Sequence, residues 1–179
     1  MIRALKSGIR RMIGDRRGAS AVEFALIAPF MILLYLGAVE ISLALSIDRK
    51  ITSAASALAD LVAQDDVITD GEMADIMTAS RVIISPFDPT PLRVRITSVL
   101  MNGSDEVTVQ WSDAVGLTPY AAGGSAPIPV GVLQRNRSVI MVEVEYRYDT
   151  MFNELGVSQF DINEVFYLRP RQSIVVARG

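Results

Sequence analysis

The feature that most constrains this chain is an apolar run near its N-terminus. Sixteen residues from Phe24 to Val39 carry no charge, and after Glu40 seven more follow from Ile41 to Ile47. As a helix, residues 24–47 would rise about 36 Å, which exceeds a hydrocarbon thickness of roughly 30 Å. The run is apolar on all faces and follows a basic flank, which disfavours a helix buried in a soluble core. The sequence therefore predicts one membrane-spanning helix.

Charge is divided unevenly on the two sides of this run. Residues 1–17 carry six positive residues and one acid, a net charge of +5, whereas residues 48–179 carry eleven positives and seventeen acids, a net charge of −6. The positive-inside rule predicts a cytoplasmic N-terminus and a C-terminal domain on the other side of the membrane. Because phosphate binding requires clustered Lys and Arg, the acidic outer domain argues against nucleic acid as a partner.

Cysteine and histidine do not occur in the chain. Without them, disulfides, thiolate nucleophiles, Ser-His triads and nearly all zinc sites are excluded. Glu143 and Glu145 stand at the i and i+2 positions of a predicted strand, a spacing that a glycosidase could use, but no pocket signal accompanies them. We therefore expect no catalytic residues and no cofactor, and a chain that is not an enzyme.

Five carboxylates follow the apolar segment closely and raise the question of a calcium site. Their spacing does not fit an EF-hand loop, so we expect no metal there. The simpler interpretation is the solvated start of a capped helix, since Thr69 and Glu72 fit a capping box. The five residues are Asp65, Asp66, Asp70, Glu72 and Asp75.

The boundary between the basic segment and the apolar run carries a recognisable motif. The stretch Arg16–Phe24, with a glycine five residues before a glutamate, resembles the class III signal of type IV prepilins. Its continuation through Ala25–Pro29 and Gly37–Glu40 is similar to the helix of TadE-like pseudopilins of tight-adherence (Flp) pilus systems. In that family a prepilin peptidase cuts after the glycine.

The resemblance implies a site and a set of partners. The processing site would be Gly18 and Ala19, and Glu23 and Phe24 would become the fifth and sixth residues of the mature chain. Implied partners are the prepilin peptidase, other pilin or pseudopilin subunits, the pilus assembly machinery and the bacterial inner membrane. The implied function is pilus biogenesis, by a minor pseudopilin that is assembled into a Flp-type pilus or primes it.

Physical chemistry agrees with a special role for Glu23. An acidic residue near the membrane centre costs roughly 2.5–3.5 kcal/mol, and less near the edge. Cleavage would free an α-amino group with a pKa of about 7.7–8.0, which is largely cationic at neutral pH. Glu23 lies about one helical turn from that amine and could pair with it in its own chain or in a neighbour, which would lower the cost.

Two other interpretations remain open at this point. Glu23 could be an interfacial residue of an unprocessed single-pass protein whose outer domain binds an envelope partner. Alternatively, the run could be a conventional signal peptide cleaved at Ala44-Leu45-Ser46, although it is longer than the usual apolar region of 7–15 residues.

Beyond the membrane segment, three- and four-residue apolar spacing predicts that one helix runs from about Ala19 to about Gln64. Its membrane half would be residues 24–47. A stripe on its second half should pack on the folded domain: Ala54, Ala55, Leu58, Leu61 and Val62. The domains are then a basic leader at 1–18, the long helix at 19–64 and an extracytoplasmic α+β domain at 65–179.

Alternation with a period of two begins after Pro89 and predicts strands. The strands start near Leu92, Val107 and Ile140, with a hairpin turn at Asn102-Gly103 and a surface loop at 116–131. Two further apolar segments are Val165–Leu168 and Ile174–Val176. The predicted fold class is α+β, with an antiparallel sheet that packs one face on the long helix and turns the other to water.

Charged residues on the outward face predict cross-strand pairs, of Arg93 and Arg95 with Glu143 and Glu145. Exposed pairs of this kind contribute only about 0–1 kcal/mol each, so they would set register and not form a site. The segments at 142–148 and 167–171 also resemble the end of TadE-like proteins. The stretch Ala54–Asp60 departs from the more basic pattern common in that family.

Overall fold

The structure is a computed structural model, and it describes residues 18–152 and 159–179. The predicted leader, apart from Gly18, therefore lies outside the described residues. Within these residues the chain forms two helices and six strands: α1 (Ala19–Gln64), β1 (Val67–Ile68), α2 (Asp70–Ile83), β2 (Leu92–Met101), β3 (Val107–Val115), β4 (Arg137–Tyr148), β5 (Phe160–Leu168) and β6 (Ala177–Arg178). The predicted α+β class, with a long N-terminal apolar helix and an antiparallel sheet, is confirmed.

The helix α1 contributes to two compact units, one ending at Ser42 and one formed by Leu43–Gly179. In the first unit α1 continues through Pro29 and exposes its large apolar side chains, including Phe24, Phe30 and Tyr35, each about 70% accessible. This helix is long and apolar enough to cross a membrane. Its exposure shows that the segment is not the buried core helix of a soluble domain.

The second unit is built on a four-stranded antiparallel sheet with the order β3-β2-β4-β5. In the centre, β2 and β4 pair over ten residues, from Leu92 opposite Tyr146 to Met101 opposite Arg137. The β2–β3 hairpin turns at residues 102–106, where the predicted Asn102-Gly103 signal lies. The register of β2 and β3 shifts between Ser98 and Val99, which marks an irregularity in that pair.

One face of the sheet packs on α1 residues from Leu43 onward, as the alternation predicts. Buried α1 side chains meet inward-facing residues of β2 and β4, such as Ile96 and Val142. One residue of the predicted stripe is wrong: Leu61 is 40% exposed, whereas Ile51 and Ala59 are fully buried. A stripe of period 3.6 drifts around a helix, and Leu61 falls at its edge.

The contact between α1 and the sheet begins within the predicted membrane segment, so fewer residues of that segment are free to lie in a membrane. Ile47 is buried in the core, and Leu43 and Ala44 pack against it. The predicted membrane half at 24–47 therefore overlaps the second compact unit over its last five residues. The same packing disfavours cleavage of a signal peptide at Ala44-Leu45-Ser46. These residues lie within the continuous helix α1, and Ala44 packs against the core.

The second face of the sheet does not simply meet water, which corrects the prediction. The segment between β3 and β4 folds back over it. Val109 exchanges backbone hydrogen bonds with Gly123 and Gly124, which ties the loop to β3. Leu133 from this segment joins Val99 and Val139 in a second small core. The loop predicted at 116–131 is thus partly a cover layer.

The C-terminal apolar segment is followed by a short strand. Residues 174–176 themselves form no strand, and β6 beyond them pairs in parallel with β1. Val176 is fully buried, and its carbonyl accepts a hydrogen bond of 2.7 Å from the indole nitrogen of Trp111. Sequence alternation cannot reveal such a segment, because its order comes from contacts with distant residues.

The helix α2 begins with the predicted capping box. Thr69 and Glu72 form the capping box: the Glu72 carboxylate accepts from the Thr69 backbone at 2.8 Å, and the Thr69 hydroxyl accepts from the Glu72 backbone. The helix ends at Ile83, before the cis Ser85-Pro86 peptide bond. Met73 and Ile76 bury its apolar face in the main core.

Candidate functional site

The predicted processing site lies at the start of α1. Gly18 is exposed, and Ala19 is the first α-helical residue. A Cβ atom placed on Gly18 would meet no heavy atom within 4 Å, and the backbone of Gly18 does not have a positive φ. Neither space nor backbone conformation in the described structure therefore requires glycine at this position.

The two remaining predicted site residues lie about one turn further along α1. Glu23 and Phe24 are both exposed, Phe24 by 72%. Residues four apart lie on the same face of a helix, so Ala19 and Glu23 share one side of α1. The peptide bond predicted to be cleaved, between Gly18 and Ala19, and the Glu23 carboxylate therefore lie close together at the N-terminal end of α1.

A second polar cluster lies on the outer face of the sheet, beneath the cover loop, which is the segment of residues 116–136 that joins β3 to β4. Arg95 binds Glu143 through two hydrogen bonds of 2.6 Å, and the two side chains are only 15% and 14% exposed. The Arg95 guanidinium also donates to the Thr118 carbonyl and to the Tyr120 hydroxyl, and lies 4.0 Å from the centre of the Tyr120 ring. The hydrogen bonds to Glu143 raise the pKa of Arg95, while burial raises the pKa of Tyr120.

The cross-strand pairs predicted for Arg93 and Arg95 are confirmed. The prediction that these pairs are exposed is wrong for Arg95 and Glu143. The Arg95–Glu143 pair is largely buried, because Thr118 and Tyr120 close over it. The sequence could not predict this burial, because the loop has no periodic pattern that would place Thr118 and Tyr120 beside Arg95. The cluster therefore anchors the cover loop to the sheet.

The neighbouring pair is more open. Arg93 lies 3.1 Å from Glu145 and 3.3 Å from Asp161 of β5, with side chains about 30–40% exposed. Glu143 and Glu145 are thus each held by an arginine of β2. A hydrolase with these two carboxylates would need one of them free to protonate or attack, and both are engaged in ion pairs instead.

The acidic cluster after α1 is separated by its partners. Glu72 caps α2, and Asp70 pairs with Arg178, which also binds Asp113 at 2.9 Å. Within residues 18–152 and 159–179, no group of three or more acidic side chains is arranged to hold a metal ion. The Arg178 contacts join α2, β3 and the C-terminus, which the sequence did not predict.

These observations define a class of protein: a small α+β domain joined to one helix that is able to span a membrane. Residues 18–60 match the TadE family model, described as TadE-like protein. The matched region contains Gly18, Ala19, Glu23 and Phe24, and the resemblance to TadE-like proteins is thereby confirmed. The family implies a role associated with the Tad/Flp pilus. Neither a curated protein nor a solved structure gives a significant match.

Proposed function

We propose that this TadE-like protein is a minor pseudopilin of a tight-adherence (Flp) pilus system and a substrate of its prepilin peptidase. The peptidase cuts between Gly18 and Ala19, and the mature chain is assembled into the pilus or primes it. The chain has a structural role and is not an enzyme. The observation that supports this most directly is the coincidence of the family match, the start of α1 and a glycine with no conformational reason to be there.

The proposed arrangement places the basic leader in the cytoplasm, the exposed part of α1 in the bacterial inner membrane and the α+β domain outside. Cleavage removes the leader and frees the Ala19 amine one turn before Glu23. A pairing of Glu23 with an N-terminal amine, in the same chain or a neighbour, would offset the cost of a carboxylate in lipid. When the amine belongs to a neighbour, the pairing also sets the register between the helices of adjacent subunits.

The first experiment determines the N-terminal residue of the membrane-extracted protein, expressed with and without a prepilin peptidase. We expect a chain that begins at Ala19 only when the peptidase is present. A chain that still begins at Met1 in its presence would contradict processing and favour an unprocessed single-pass protein that binds an envelope partner. A chain that begins at Ile47 would indicate a secretory signal.

Two glycine variants sharpen this test. Gly18→Val should block cleavage while leaving the domain folded, because Gly18 is exposed and a Cβ atom there meets no described atom within 4 Å. Gly37→Val is the matched control, since a Cβ atom at Gly37 also meets no atom within 4 Å and only the position of the substitution differs. The control should be cleaved normally. If both variants were cleaved like the unchanged chain, Gly18 would have no role in recognition.

The assembly role of Glu23 is tested separately. Glu23→Ala and Glu23→Gln should both insert and be cleaved, yet both should reduce the number of pili, because each removes the negative charge. The glutamine variant keeps the size and polarity of the side chain and so isolates the charge. Normal piliation with Glu23→Gln would exclude amine pairing as the register device, even if processing is correct.

A further inference from the structure

A small cavity of about 170 Å³ lies where the ends of two neighbouring strands meet the C-terminal loop. Arg137 opens β4 and Arg169 directly follows β5, so the sheet brings their backbones to the same end. The loop from 169 to 174 is fixed there, because both the backbone nitrogen and the hydroxyl of Ser138 donate to the Ile174 carbonyl. The lining residues are Gln134, Arg137, Ser138, Arg169, Pro170, Ser173 and Ile174.

The arginines of this cavity differ from most other arginines of the α+β domain. Six of the eight arginines beyond residue 90 form ion pairs with acidic side chains. The other two, Arg137 and Arg169, form none with any residue that the structure describes, and neither does Arg81 of α2, which lies away from this cavity. No acidic residue lines the cavity. Two uncompensated guanidinium groups thus border one cavity in a domain whose net charge is −6.

A buried hydroxyl adds a second, independent observation. Ser173 is one of the lining residues, and its hydroxyl oxygen is inaccessible to solvent and has no hydrogen-bond partner within the described part of the chain. A buried hydroxyl without a partner costs free energy, so such groups generally have a partner that completes their hydrogen bonding. The Gln134 side chain supplies a further donor to the lining.

From this convergence we propose that the cavity binds a small oxyanion, a phosphate or carboxylate group. Arginine forks match the oxygens of both groups and bind them through charge-assisted hydrogen bonds. Arg137 and Arg169 would hold the charge, and the serine hydroxyl and glutamine amide would complete the contacts. A cation is disfavoured at the same place, because it would face two positive charges. The proposal is independent of the pilus role.

The test uses the full chain in a nonionic detergent, with its arginines labelled for NMR detection of the guanidinium groups. Sodium phosphate and sodium acetate are titrated separately, each against sodium chloride at equal ionic strength. We expect saturable shifts of the Arg137 and Arg169 signals with at least one of the two probes. The probe that saturates at lower concentration identifies the group for which the cavity is built. Saturation with neither probe would overturn the proposal.

Variants separate a site from general charge attraction. Arg137→Gln and Arg169→Gln should each weaken binding at least about tenfold, because each removes a charge-assisted hydrogen bond. Arg135→Gln is the matched control: it removes the same charge two residues away, from a side chain that already pairs with Asp105. Arg137→Lys should restore part of the affinity. An equal loss in Arg135→Gln would overturn the proposal, since it would reduce the effect to surface charge.

Discussion

Replacing Glu143 by glutamine tests whether the cluster beneath the cover loop holds that loop on the sheet. The change removes the negative charge from a pair that is about 85% buried and leaves the Arg95 guanidinium with one weaker partner. Breaking a fully buried pair costs about 3–5 kcal/mol, but the Thr118 carbonyl and Tyr120 hydroxyl still solvate Arg95 here. We therefore expect a loss of about 2–4 kcal/mol in the free energy of unfolding.

The assay is urea denaturation of the full chain in nonionic detergent. Unfolding is monitored by the fluorescence of Trp111, the one tryptophan of the chain. Glu145→Gln is the matched control, because the substitution and the strand are the same but its pair is about 30% exposed. It should cost no more than about 1 kcal/mol. Equal losses in the two variants would refute the claim that burial under the loop makes the Arg95–Glu143 pair stronger. Replacing Arg95 and Glu143 together by leucine should recover stability relative to Glu143→Gln, since no uncompensated charge remains.

The other predictions concern the core and the start of α2. Leu58→Ala should reduce the free energy of unfolding by about 2–5 kcal/mol, whereas Leu61→Ala should change it by less than about 1 kcal/mol, because Leu58 is fully buried and Leu61 is 40% exposed; urea midpoints compare the two, and equal losses would contradict the packing. Hydrogen bonds from Thr69 lower the pKa of Glu72. The unfolded chain then binds more protons near pH 4 than the folded chain, so stability should fall as the pH decreases from 6 through the lowered pKa. Glu72→Gln removes the titrating carboxylate and should flatten that dependence, measured as urea midpoints at pH 4 and pH 6, and an unchanged slope would exclude Glu72 as its source.

Much of the fold could be predicted from the sequence because its signals are local. The apolar spacing defines α1 from Ala19 to Gln64, and the Thr69 and Glu72 pattern defines the start of α2. The alternation in β2 and β4 also puts Arg95 and Glu143 on the same face of the sheet, and the structure supplies the register that sets them opposite each other. Each of these features depends on residues a few positions apart, or on two strands with unbroken alternation.

The features that could not be predicted depend on distant contacts. The loop after β3 is rich in Gly, Pro and Ala and has no periodic pattern, yet its backbone bonds to Val109 and its side chains pack on the outer face of the sheet. The C-terminal residues show only weak periodicity in the sequence. Their positions are fixed by contacts with distant residues: the hydrogen bond from Trp111 to the Val176 carbonyl, the Arg178–Asp113 salt bridge and the pairing of β6 with β1. The cavity beside Arg137 and Arg169 likewise arises only when residues 32 positions apart meet at one end of the sheet.

The division of the chain bears on how cleavage would act. In the described chain every fully buried apolar side chain lies at Ile47 or beyond, within the compact unit that begins at Leu43. Removing residues 1–18 takes none of these side chains away, so the outer domain should have the same urea midpoint in the cleaved and the full-length chain. Cleavage would then change only the charge at the end of α1: six positive side chains leave and one amine appears beside Glu23. A processing step of this kind alters how α1 associates with other helices in the membrane without altering the fold that it carries.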